Sequence, residues 1–115
     1  MTLEPDKLTW AVLLGQWVTF AKRAVGLPRD AAGRRMRESV PDVIMLQAVW
    51  FALQHLDELA PEERALGIDR AEVLIDRHTD ALKQRWQGVE MPSELHALIQ
   101  DARQQLADAQ ARHSR

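Results

Sequence analysis

The sequence predicts an all-α fold, a compact bundle of four main helices, and three observations carry that reading. Alanine, leucine, glutamine, glutamate and arginine dominate, no stretch keeps up a two-residue alternation, and no Asn-Gly or Asp-Gly pair marks a hairpin. Two runs, Trp10 to Ala21 and Val43 to Leu53, are almost wholly apolar over helical lengths. Helices of that kind have to be covered on most of their sides. Proline and glycine then punctuate the chain where helices would start and stop. At 115 residues the chain has room for one hydrophobic core and not for two, so residues 1–115 are read as a single domain.

The first helix is expected over 5–25, opening on Pro5 and ending where Gly26 and Pro28 offer a left-handed cap and a breaker. Residues 29–38 hold a short basic helix or turn, weakened by Gly33. Ser39, Pro41 and Asp42 together resemble an N-cap with an acidic first turn. The second helix is therefore placed at 40–59, with Pro61 closing it. Residues 62–66 are read as one turn before Gly67, after which Asp69 and Glu72 have the spacing of a capping box. That pair opens a third helix over 69–87, which Gly88 terminates. Pro92 and Ser93 start the fourth, over 93–109, and 110–115 form a polar, disorder-prone end.

Projected at helical spacing, the first helix gathers Trp10, Leu13, Leu14, Trp17 and Phe20 on one broad face opposite a thin stripe of Thr9, Gln16 and Arg23. Ala11, Gly15 and Thr19 recur on its flank, small enough to admit another helix backbone. In the second helix Trp50 and Phe51 border the polar stripe, the position where aromatic rings are enriched at protein contacts. The third separates an inward side (Ala71, Leu74, Ile75, His78, Leu82, Trp86, Val89) from an acidic ridge of Asp69, Glu72, Asp76 and Asp80. Leu95, Ile99, Ala102, Leu106, Ala109 and His113 run along the fourth at alternating steps of four and three, a narrow seam suited to lying across the bundle or to self-association.

Chemistry-bearing patterns are sparse. There is no cysteine, and hence no disulfide, thiolate or cysteine-based metal site, a composition that suits a reducing cytoplasm. His55 and His78 fall on apolar helix faces, where a hydrogen-bonded core imidazole is the ordinary explanation. Neither belongs to a Glu-x-x-His or His-x-x-x-His pattern, no nucleophile elbow or phosphate loop occurs, and no catalytic residue, metal or cofactor is expected. The apolar runs are too short for a bilayer, and Glu4, Pro5 and Asp6 stand where a signal peptide would be basic.

Net charge is -2, with a pI near 6.1, and so gives no global attraction to nucleic acid. Charge is nonetheless uneven: Lys22, Arg23, Arg29, Arg34, Arg35 and Arg37, against Asp30 and Glu38, give 22–38 a local +4 and leave the rest at -6. The expected function is that of a helical interaction or accessory protein that pairs as a homodimer or with another protein. Its candidate surface comprises Trp10, Trp17, Trp50, Phe51, Arg34, Arg35 and Arg37. One alternative is nucleic-acid binding through 22–37. Another is a ligand-binding or enzymatic bundle with a Trp-lined pocket. The basic segment has a further option, which is to pair with the acidic ridge of the third helix.

Overall fold

The structure is a computed structural model that describes residues 8–24 and 33–113. Four helices, α1 (Trp10–Ala24), α2 (Gly33–Gln54), α3 (Pro61–Arg85) and α4 (Ser93–His113), account for almost all of them, with a 3-10 turn at Leu56–Glu58 joining α2 to α3. No strand occurs among the described residues. The all-α bundle is therefore present, and none of its described helices is long and apolar enough to cross a membrane.

The most apolar stretch takes the centre. α2 packs against α1, α3 and α4, α3 packs against α4, and α1 meets α3 over a short stretch only. Leu46, Val49, Leu53, Leu56, Ile75 and Leu82 are fully buried. Each contributes about 1.5–3 kcal/mol of apolar burial. Trp10 and Leu13 from α1 and Leu95, Ala102 and Leu106 from α4 join the same cluster. The seam expected along α4 is thus used inside the chain, against α2 and α3.

Several boundaries differ from the sequence reading for identifiable reasons. α1 starts at Trp10, because Thr9 is its N-cap: the Val12 N–H donates to Thr9 Oγ1 at 3.2 Å and the Leu13 N–H to the Thr9 carbonyl at 2.9 Å. The expected start at Pro5 and the expected stop at Val25, Gly26 and Pro28 lie outside the described residues. The short basic helix and the second helix are one element, α2, with Pro41 inside it. Pro41 deprives the Arg37 carbonyl of its helical partner, but both residues are exposed, so water satisfies the carbonyl and the ring meets no core atom. Ser39 is correspondingly an interior residue of α2 rather than a cap.

The expected end of the second helix at 59 is replaced by an end at Gln54 and a 3-10 turn, and Pro61, rather than closing α2, is the first residue of α3, with Ala60 extended before it as N-cap. The helix then runs through Gly67 because the Trp10 ring needs that position bare. A Cβ on Gly67 would stand 2.6 Å from Trp10 Cε3 and 3.2 Å from Leu56 Cδ2. The helix gives up ~1 kcal/mol of propensity there and gains the burial of a tryptophan, which is 2% exposed. The helix ends two residues before the expected 87, at Arg85 with Trp86 as its C-cap, and Gly88 at φ +82 belongs to the turn that follows. One consequence is that Val89, expected on the inward side, lies past the helix end and is 45% exposed. α4 continues beyond Ala109 to His113, so the polar end is mostly helix.

Candidate functional site

Two places combine accessible surface with an organised chemical environment. The first lies where the start of α2 meets the end of α3. Asp42, 6% exposed, accepts from Arg85 Nη1 at 2.6 Å through Oδ2 and sits 2.8 Å from His78 Nδ1 through Oδ1. One turn away Ser39 Oγ donates to the Arg35 carbonyl at 2.8 Å and accepts from Trp86 Nε1 at 3.0 Å. Arg35 completes the circuit, its Nε donating to the Arg85 carbonyl at 2.9 Å. That carbonyl belongs to the last turn of α3, which has no helical donor left to meet it and carries the negative end of the helix dipole, so a guanidinium is well placed there.

Above this cluster is an open groove lined by Gly33, Arg34, Arg35, Glu38, Arg85, Trp86 and Pro92. Arg34 spends its charge on Glu38 at 3.0 Å, and Arg85 spends its own on Asp42. Arg37 is exposed. The arginines of the basic segment thus meet Glu38 and the carbonyl end of α3; none of Arg34, Arg35 and Arg37 is paired with the acidic ridge.

The second place is an apolar groove between α1 and α3, lined by Trp10, Ala11, Leu14, Leu66, Val73 and Leu74 with Asp69, Arg70 and Arg77 on its rim. It exists because α1 leans on α3 at one point. Trp10 seats on Gly67, the Trp10 N–H donates to Glu63 Oε1 at 2.8 Å, and beyond that turn the two helices are not closely packed. The flank of α1 is bare in consequence: Ala11 and Gly15 are exposed, a Cβ on Gly15 would meet nothing within 4 Å, and Val12 is 48% exposed. Opposite it, Leu66 is 38% and Val73 54% exposed.

No family model, curated protein or solved structure matches this chain.

Among the residues expected to form an interaction surface, Trp10 is corrected to a core residue. Its ring is held by Gly67 and Leu56, a close approach that helical projection of α1 alone does not reveal. Trp50 and Phe51 are half-buried and contact each other, ring centroids 4.6 Å apart and planes tilted by 60°. Arg34, Arg35 and Arg37 are exposed, and the Trp17 side chain lies outside the described residues. The structure does not bring these residues together, since the arginines lie at the start of α2 and Trp50 and Phe51 near its end.

Sequence reasoning missed Asp42 altogether, because Ser-x-Pro-Asp imitates a helix start and thereby hides a buried acid. The only signal that could have found it is His78 on the inward face of α3, which needs an acceptor. His78 is a hydrogen-bonded core histidine, as expected. His55, half-buried with Nδ1 2.6 Å from Glu58 Oε2, lies at the edge of the core instead. At the same end of the bundle His113 Nε2 stands 3.4 Å from Asp57 Oδ1, close enough to attract but not aligned as a hydrogen bond, so that nitrogen is buried without one. No group of three or more metal-ligating side chains occurs among the described residues.

Proposed function

We propose that this chain is a self-associating helical interaction protein whose contact surface is the open side of α1 and α3. The observation that carries the reading is the uncovered apolar groove between α1 and α3, along which Ala11, Leu66 and Val73 are exposed. α2, the other strongly apolar helix, is enclosed on three sides by its own chain. Exposed apolar surface that is contiguous and rimmed by charge marks protein contacts more often than isolated apolar side chains do. A second copy is the partner that is present wherever the chain is. Light scattering at micromolar concentration tests this directly. A species of about 26 kDa, twice the chain mass of 13.1 kDa, is the expected result, and a monomer throughout the micromolar range refutes it.

A second reading, binding of nucleic acid, draws on the groove that holds Arg34, Arg35, Arg85 and Trp86. Arginine forks fit phosphate, and a tryptophan wall offers a base a surface to stack on. The opposing weight is that Glu38 and Asp42 already neutralise two of those arginines. The reading predicts retention on heparin and salt-sensitive binding of single-stranded oligonucleotides that is lost when Arg34, Arg35 and Arg37 are changed to Ala. Absence of any shift at low salt removes it. Among the described residues neither groove is lined by a histidine, serine or threonine, and the ligand-binding or enzymatic reading gains no support from those walls.

A further inference from the structure

We infer that two copies meet through the outer face of α3 with those helices parallel, related by a two-fold axis running along them, so that the acidic edge of each α3 faces the arginine edge of the other. The inference rests on the self-association proposed above and specifies its geometry. Its basis is the arrangement of side chains around the exposed face of α3 (Pro61–Arg85).

Leu66, Val73 and Asp80 are seven residues apart and follow one line along the helix at roughly 100° per residue. On one side of that line stand Asp69, Glu72 and Asp76; on the other stand Arg70 and Arg77, beside the groove against α1. Within the chain the two edges meet only in part: Asp80 lies three residues from Arg77 and three from Lys83, which follows on the acidic side, whereas Asp69, Glu72 and Asp76 have no basic residue of α3 three or four positions away. Glu72 repels Asp76, and Asp76 repels Asp80, each pair four residues apart on the same helix. Arg103 of α4 reaches Asp76 at 3.2 Å and relieves one member of that edge. Asp69, Glu72, Arg70 and Arg77 have no ion pair among the described residues. From Leu66 to Arg77, a face with two apolar residues between an acidic and a basic edge is charge-complementary to itself, and only Asp80, at the end of the line, meets a like charge in the parallel packing.

Symmetry decides the direction. An axis along α3 carries the acidic edge of one helix onto the basic edge of its copy, and does so twice. An axis perpendicular to α3, centred on Val73, brings Arg70 and Arg77 to the partner's Arg70 and Arg77, and Asp69 and Asp76 to the partner's Asp69 and Asp76. That second packing is repelled on both sides. In the parallel packing Leu66 and Val73 each meet their own counterpart, and the partner's carboxylates lie over the groove that Arg70 and Arg77 border.

The chain contains no cysteine, which makes single-cysteine variants of the full-length protein unambiguous. Leu66→Cys and Asp80→Cys are prepared separately and mixed, then oxidised or treated with a short bis-maleimide. The parallel packing gives covalent 66–66 and 80–80 dimers, and mixing adds no 66–80 product. A 66–80 product in place of the self-linked ones reports the antiparallel packing and overturns the inference. A scattering dimer that links at neither position also overturns it, while leaving self-association standing; a monomeric unmodified protein removes both. Charge provides an independent check. Replacing Arg70 and Arg77 together by Glu should weaken dimerisation about tenfold or more, and exchanging the edges (Asp69→Arg, Glu72→Arg, Asp76→Arg, Arg70→Asp, Arg77→Asp) should restore it. Circular dichroism verifies that each variant keeps its helix content. Unchanged association in the Glu variant rules the packing out.

Discussion

Asp42 shows how much one buried side chain can organise. Its two carboxylate oxygens hold His78 and Arg85, and its neighbour Ser39 holds Trp86, so three residues near the end of α3 are fixed from one turn of α2. Removing the acid by Asp42→Ala strands an imidazole and a guanidinium. The expected loss is about 2–3 kcal/mol in urea denaturation, somewhat below a fully enclosed pair because part of Arg85 reaches water. Thr79 should behave in the opposite way. It is 1% exposed and its hydroxyl has no hydrogen-bond partner, so Thr79→Val removes a desolvated polar atom at nearly constant shape. Its denaturation midpoint should be unchanged or higher; a loss of more than about 1 kcal/mol would show that the hydroxyl is satisfied in solution.

At the scale of elements, residues that break a helical rule are the instructive ones. Gly67 breaks one for the sake of Trp10, so Gly67→Ala should destabilise by about 1–3 kcal/mol despite alanine's better propensity, since the Trp10 ring has to be displaced. Pro41 breaks another without a buried counterpart. Pro41→Ala should return a helical bond to the Arg37 carbonyl and stabilise by about 1–2 kcal/mol in the same measurement. These positions also explain how far the sequence was legible. Helical content and the inward faces of α3 and α4 follow from periodicity, which is a property of neighbouring residues. The start of α3 has a local signal, proline at the first helical position, that also reads as a breaker, whereas the merger of 33–38 with α2 and the seat of Trp10 depend on contacts between residues far apart, such as Trp10 with Gly67. The Asp42 cluster was hidden for the same reason, and the apolar groove became visible only when α1 had a position relative to α3.

For the molecule as a whole, the distribution of cover matters more than the amount of apolar sequence. α2 and α1 have comparable apolar runs, yet α2 is enclosed by three helices and α1 by little more than one. Val73→Glu should therefore leave the monomer's thermal midpoint almost unchanged, because the side chain is 54% exposed and surface changes usually stay within ±0.5 kcal/mol. The same substitution should shift the scattering mass toward 13.1 kDa. A large drop in midpoint with no change in mass would mean that Val73 supports its own chain and not a second one.

The seat of Trp10 on Gly67 also sets an order on events during synthesis. α1 is made before α3, but the bare helix turn that receives its tryptophan, and the Glu63 carboxylate that accepts a hydrogen bond from its first amide, lie more than fifty residues further along the chain. Until α3 has emerged from the ribosome, one of the most apolar segments of the protein has only α2 to lie against. That interval is when nascent α1 is most exposed to chaperones and to other unfinished chains.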